Sequence, residues 1–236
     1  MGTEQPATDK VVSPAIPTGL TRYSAVKLLG ALALLFLMTP LIEDLPRGDL
    51  IEAMLLTLVM IFSVLAVGGR RRTLLIALAL LAPAIVAKWG NSLWPNLVPP
   101  LFFLVPSTLF FGFVFAHLLR FIVGSPHVDV NVLCGGVAGF LMLGILWIPA
   151  YVIVARANPA AFKIANGGTL DGFNAFYFSF ITLCTVGYGD VTPISKAARM
   201  LAVGQAISGL FYMAVLISRL VSLYSSAKSE PRAGPN

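Results

Sequence analysis

Phe178-Ser179-Phe180-Ile181-Thr182-Leu183-Cys184-Thr185-Val186-Gly187-Tyr188-Gly189-Asp190-Val191-Thr192-Pro193 is the stretch on which the fold turns. In an extended strand successive carbonyls point to opposite sides. Glycines at 187 and 189 can instead take left-handed dihedrals that are costly for other residues. Alternating handedness along the run would turn every carbonyl the same way. Backbone of this kind cannot face lipid, where its polar groups find no partner, so it must be wrapped in protein and face water.

Immediately upstream, Leu170 to Leu183 is apolar and aromatic and follows a polar turret, Arg156 to Thr169. A helix of about a dozen residues spans only about 18 Å, too little to cross a hydrocarbon core of about 30 Å. It therefore reads as re-entrant. Asp171 or Thr169 is placed to cap its start, and the negative end of its dipole points toward a central cavity. Further out lie six apolar runs: Tyr23 to Leu41, Leu50 to Gly68, Thr73 to Trp89, Pro100 to Val123, Val132 to Val154 and Ala197 to Leu223. The third is the weakest, being short and carrying Pro83, although neighbouring helices can re-satisfy the backbone that a proline frees. The first run is long, lacks a small-residue cleavage site and leads into an acidic loop, so it reads as a signal anchor. The predicted fold is an all-α integral membrane protein: six transmembrane helices, with a re-entrant pore helix and a filter loop between helices 5 and 6.

The domain division follows. Residues 1–22, with Pro6, Pro14 and Pro17, form a loosely ordered N-terminal tail. Residues 23–123 form a four-helix peripheral membrane domain, 124–131 a linker, 132–224 the pore domain and 225–236 a short tail. That tail is too short for a nucleotide-binding or calcium-binding domain, so a ligand that gates the protein is expected to act on the membrane domain, the tails or another subunit.

Composition agrees with the membrane reading. Of 236 residues, 58% are hydrophobic and 11% charged, and the mean hydropathy is +0.88, which is not the balance of a soluble domain. The net charge of +6 is split among short loops and termini and forms no stripe that could line a nucleic-acid groove. Cys134 and Cys184 fall inside apolar stretches and offer no disulfide framework or metal spacing. No cofactor and no enzymatic chemistry are implied.

Loop charges set the topology. With both termini in the cytoplasm, Lys10, Arg22, Lys27, Arg70-Arg71-Arg72, Arg120, Arg219, Lys228 and Arg232 fall inside, as positive-inside orientation requires. Glu43, Asp44, Asp49, Glu52, Asp171 and Asp190 fall outside, while Glu4, Asp9, Asp129 and Glu230 stay inside. Trp89, Trp94 and Trp147 lie near the outer interface as aromatic anchors, with Tyr151 one turn beyond Trp147.

The run Thr185-Val186-Gly187-Tyr188-Gly189-Asp190 resembles the signature of the potassium channel superfamily. Over roughly Val132 to Tyr224 the arrangement is similar to the pore module of prokaryotic tetrameric potassium channels. The resemblance implies a plasma-membrane homotetramer in the lipid bilayer that conducts K+ passively. In it, oxygens of Thr185, Val186, Gly187, Tyr188 and Gly189 replace the ion's hydration shell, with K+ held at Thr185 to Tyr188. It also implies that Tyr177 and Phe178 brace the filter, with Tyr177 hydrogen-bonded to Asp190. Two positions depart from the family pattern. Ile181 stands where some members keep a second carboxylate behind the filter, so carboxylate-controlled inactivation does not carry over. Cys184 stands where many have Thr or Ser at the cavity mouth, and a thiol is the weaker hydrogen-bonding group.

Gly209 aligns with the family's glycine hinge. Interior helix glycine costs up to about 1 kcal/mol relative to alanine, so bending and close packing are equal readings of it. Gly204 is five residues earlier and does not share its face. Gly135 and Gly139 have the spacing that lets membrane helices approach closely. The fourth helix carries Arg120 near its inner end, with His117 one turn earlier, and lacks the repeated basic residues of a voltage sensor. A steep voltage response is therefore not expected, and the linker is too short for a long lever helix. Two alternatives stay open: a potassium-uptake transporter subunit, argued against by the single intact filter, and a non-conducting regulatory subunit of other channels.

Overall fold

The computed structural model describes residues 25–42, 45, 48–67, 71–94, 101–125, 129–165 and 167–229. The expectations for the tail 1–22, Glu43, Asp44, Arg70, Glu230 and Arg232 lie outside the described residues. Among the described residues, six helices are long and apolar enough to cross a membrane: α1 (Ala25–Ile42), α2 (Gly48–Val67), α3 (Arg71–Leu93), α4 (Leu101–Gly124), α5 (Val130–Ala157) and α7 (Lys196–Ser229). Between α5 and α7 comes α6 (Gly172–Leu183), a helix of 12 residues. The chain is an all-α, multi-pass membrane protein.

Helix ends differ from the hydropathy runs where polar residues complete a helix. The third run, Thr73 to Trp89, becomes α3, which continues through Pro83 and on to Leu93. Its C-terminal turns hold Lys88, whose Nζ pairs with Glu52 Oε1 of α2 at 3.0 Å and lies 5.3 Å from the centroid of the Phe103 ring of α4. They also hold Trp89, whose Nε1 donates to Thr57 Oγ1 at 3.1 Å. These partners let charged and polar residues continue a helix whose apolar run has ended. At the start of α5 the Asp129 carboxylate accepts from Val132 N at 2.8 Å. This N-cap draws the helix start back to Val130 and shortens the linker.

The peripheral helices pack in chain order, α1 on α2, α2 on α3 and α3 on α4, and α1 and α4 both lean on α5. In turn α5 carries α6 and α7. One apolar core crosses from α2 and α4 through α5 to α6, running through Met60, Phe110, Val114, Met142 and Phe180. Phe36 of α1 meets Phe176 and Phe180 of α6 edge-on, with centroids 4.7 and 4.5 Å apart.

The turret holds structure that its polar composition concealed. Asn158 caps a single 3-10 turn, Pro159–Ala161, its side chain accepting from Ala160 N at 3.1 Å. Strand β1 (Phe162–Ile164) then pairs antiparallel with β2 (Val191–Pro193), Lys163 opposite Thr192. Strands of three residues are too short to display the alternation by which strands are recognised in a sequence.

Two packing expectations are corrected. Gly139 does admit a neighbour, the Tyr212 hydroxyl end of α7, but its companion is Gly136, where a Cβ would lie 2.9 Å from Leu216 Cδ1. Gly135 faces Phe121, Ala25 and Ile122 at ordinary distances of 3.7–3.8 Å. Positions three apart share a helix face as well as positions four apart, and α7 selects the former. Tyr151 is not an interfacial anchor, and Trp147 is half-buried. The Trp147 ring stands over Gly204, and Tyr151 is fully buried with its hydroxyl bonded inside the protein.

Candidate functional site

The loop after α6 leaves the helix without leaving its hydrogen bonds. Cys184 N donates to Phe180 O at 2.9 Å and Thr185 N to Thr182 O at 3.0 Å. Val186 N and Gly187 N then both point to Ile181 O, at 2.8 and 3.4 Å. Carbonyls at the end of a helix lack internal partners, and here the departing chain supplies them.

Backbone handedness alternates along the loop. φ is +57° at Thr185, +55° at Gly187 and +84° at Gly189, while Val186 and Tyr188 stay outside the left-handed region. Sequence reasoning assigned that conformation to the glycines and missed Thr185. A β-branched residue there is an outlier, costing about 1–3 kcal/mol, and such strain persists only where the surroundings impose it. The bonds from Thr185, Val186 and Gly187 to α6 are that imposition. The side chains of Val186 and Tyr188 are 50% and 74% exposed in the single chain.

The C-terminal end of the loop is tied at three points. Tyr177 Oη donates to Asp190 Oδ2 at 2.7 Å, Val191 N donates to Asp190 Oδ1 at 3.0 Å, and Ala165 N donates to Asp190 O at 2.8 Å. The Tyr177 bond is the largest cause holding the Asp190 carboxyl below its ordinary value. The same bond, before all other causes, pushes the Tyr177 phenol up to about 12, so it stays a donor at neutral pH. Phe178 is buried against Tyr151 and Phe162, with ring centroids at 4.9 and 5.5 Å. It braces α6 against α5 and β1, in one buried cluster with Ile181 and Val191.

Thr169 and Asp171 divide the start of α6 between them. Asp171 occupies the N-cap position but makes no side-chain cap bond, because its Oδ1 accepts from Thr169 Oγ1 at 2.9 Å. Ile181 is buried behind the loop, and its carbonyl, not its side chain, serves the loop. Cys184 is free and exposed. Gly209 lies where a Cβ would come within 2.7 Å of Leu183 O and 2.8 Å of Leu183 Cδ1, and α7 runs unbroken through it. Close packing against the end of α6 is thus what this position requires in the structure.

A buried polar chain behind the loop escaped the sequence reading. Tyr151 Oη of α5 donates to Gln205 Oε1 of α7 at 2.5 Å, and Gln205 Nε2 donates to Ser179 Oγ of α6 at 2.8 Å. Ser179 Oγ donates in turn to Gly144 O of α5 at 2.7 Å. The available signal was a lone glutamine within the apolar run from Ala197 to Leu223.

A helix too short to cross, a loop of alternating handedness and a long helix on either side form the arrangement expected of a pore loop. Comparison with known proteins points the same way. The family model described as "Ion channel" matches residues 134–226, from α5 into α7. The chain is similar to two pore potassium channel c of Oryza sativa subsp. japonica, 35% identical over 81 residues, which are 33% of this chain and 18% of that protein. It is 46% identical over 57 residues to two-pore potassium channel 1 of Arabidopsis thaliana, covering 24% of this chain and 16% of the relative. It is 40% identical over 58 residues to the voltage-gated potassium channel Kch of Escherichia coli (strain K12), covering 21% and 14%. The chain thus spans less than a fifth of the length of these three relatives. No solved structure matches.

Proposed function

We propose that this chain is the subunit of a potassium-selective channel, a homotetramer conducting K+ passively across the plasma membrane with both termini in the cytoplasm. The observation that carries the reading is the alternation of φ at Thr185, Gly187 and Gly189 in a loop hydrogen-bonded to a helix too short to cross. Such a strand presents carbonyls to one side, and rings of them stand in for the water around a dehydrated cation. K+ is the cargo, held by oxygens of Thr185, Val186, Gly187 and Tyr188, with Gly189 completing the turn. One strand cannot enclose an ion, whereas four copies around an axis would, which supports the tetrameric reading. Asp190, Tyr177 and Phe178 hold the strand in place from behind and beside it. Potassium channels among the similar proteins support the choice of ion.

Arg120 is the basic residue of α4, exposed near its inner end, and the His117 ring contacts Phe113 O within its own helix at 3.2 Å. One charge moves too little energy through the membrane field, about 2.3 kcal/mol per 100 mV, for steep voltage gating. Purified protein in liposomes should pass K+ well ahead of Na+. Equal passage of the two ions, or no flux from this chain alone, would overturn the reading.

A further inference from the structure

Three helices meet through one directed chain of hydrogen bonds: Tyr151 Oη to Gln205 Oε1, Gln205 Nε2 to Ser179 Oγ, and Ser179 Oγ to Gly144 O. Tyr151, Ser179 and Gln205 are each completely buried. Buried polar groups are tolerated where every one has its partner, and an incomplete network is worse than an apolar core. Position 205 must accept from Tyr151 and donate to Ser179 at once, which no apolar residue can do and which the amide does with its two ends.

The position of this chain gives it more than a packing role. Ser179 lies on α6 two residues before Ile181, whose carbonyl accepts from Val186 and Gly187 of the loop. One turn further along both helices, Gly209 of α7 rests on Leu183 O of α6. The two helices therefore touch at matched positions, Gln205 on Ser179 and Gly209 on Leu183, and the first contact is directional. We propose that Gln205 is a positioning residue for ion selectivity. Its amide fixes the rotation and depth of α6 against α5 and α7, and through Ile181 O it fixes the carbonyls of the loop. The inference rests on the potassium-channel reading above.

Gln205→Glu tests it. A protonated carboxyl reproduces both bonds, accepting from Tyr151 and donating to Ser179, whereas a carboxylate can only accept. Burial favours the neutral form of such a group. In liposomes, the K+/Na+ permeability ratio of Gln205→Glu should be near that of the unaltered protein at about pH 6 and fall at least tenfold by about pH 9.5. The unaltered protein should keep its ratio over that range, and rescue by acid is an effect that lost packing would not produce. Ser179→Ala deletes the amide's partner and carries the test independently of how Gln205→Glu assembles: it should lower the ratio tenfold at every pH. A Ser179→Ala ratio equal to that of the unaltered protein, or a Gln205→Glu ratio indifferent to pH, overturns the inference. A low ratio in the unaltered protein overturns the channel reading instead.

Discussion

Replacing Gly209 with alanine separates two roles for this position. A Cβ built there lies 2.7 Å from Leu183 O, a backbone atom at the end of α6. Restoring an ordinary contact needs a displacement of about 0.7 Å, and overpacking of this kind costs about 1–3 kcal/mol. Against this, alanine in a helix interior gains up to about 1 kcal/mol. The net expectation is a loss of about 0–3 kcal/mol per subunit, and the strain falls on the helix end to which the loop is tied. Gly30 of α1 is the control, because a Cβ there meets nothing within 4 Å. Gly30→Ala should keep only the helix gain. The assay is thermal stability of the detergent-solubilised assembly, followed by size-exclusion chromatography after heating, with K+/Na+ permeability measured in parallel. Gly209→Ala should melt below both the unaltered protein and Gly30→Ala and should be less selective. A Gly209→Ala protein more stable than the unaltered one, with altered opening but full selectivity, would refute the packing argument and leave the glycine as a bend.

Three further outcomes are expected. Gly187→Ala places a side chain at φ +55° with no clash nearby, so its cost is conformational, about 1–2 kcal/mol per subunit, and K+ flux in liposomes should fall sharply; unchanged flux removes Gly187 from the filter. The Asp190 carboxyl is held below its ordinary value chiefly by Tyr177, so its charge persists above that value and is lost only as pH falls through the depressed one. In Tyr177→Phe the loss should come at higher pH, so acid block of conductance should begin earlier on titration from neutral; a midpoint unchanged or shifted to lower pH contradicts this. Lys88 is 12% exposed and paired with Glu52, so Glu52→Gln should destabilise by about 1–3 kcal/mol by leaving a half-buried charge unpaired. The double replacement Glu52→Gln/Lys88→Met should recover part of that loss in the same melting assay, and a double variant worse than the single one would show that the pair is not the cause.

What could be read in the residues divides from what could not along a physical line. Span number and the re-entrant helix were legible because hydropathy and length are local, and lipid punishes every exception. Gly187 and Gly189 were legible because glycine announces its own dihedrals. Thr185 was not, since nothing in a threonine signals a left-handed backbone; the bond from its N–H to Thr182 O and those of its neighbours to Ile181 O put it there. Trp147 and Tyr151 have the composition of an aromatic belt, and only the path of α7 beside α5 makes one a cover for Gly204 and the other a buried donor.

By itself the sequence determined an all-α membrane protein with a short re-entrant helix leading into a glycine-alternating loop, because bilayer thickness and backbone sterics act on contiguous residues. Tertiary structure alone decided which glycines face α7, that β1 and β2 staple the turret across the loop, and that Gln205 joins Tyr151 to Ser179. These are meetings between residues 26 to 80 positions apart, and helix packing selects them from many pairings the chain would otherwise permit.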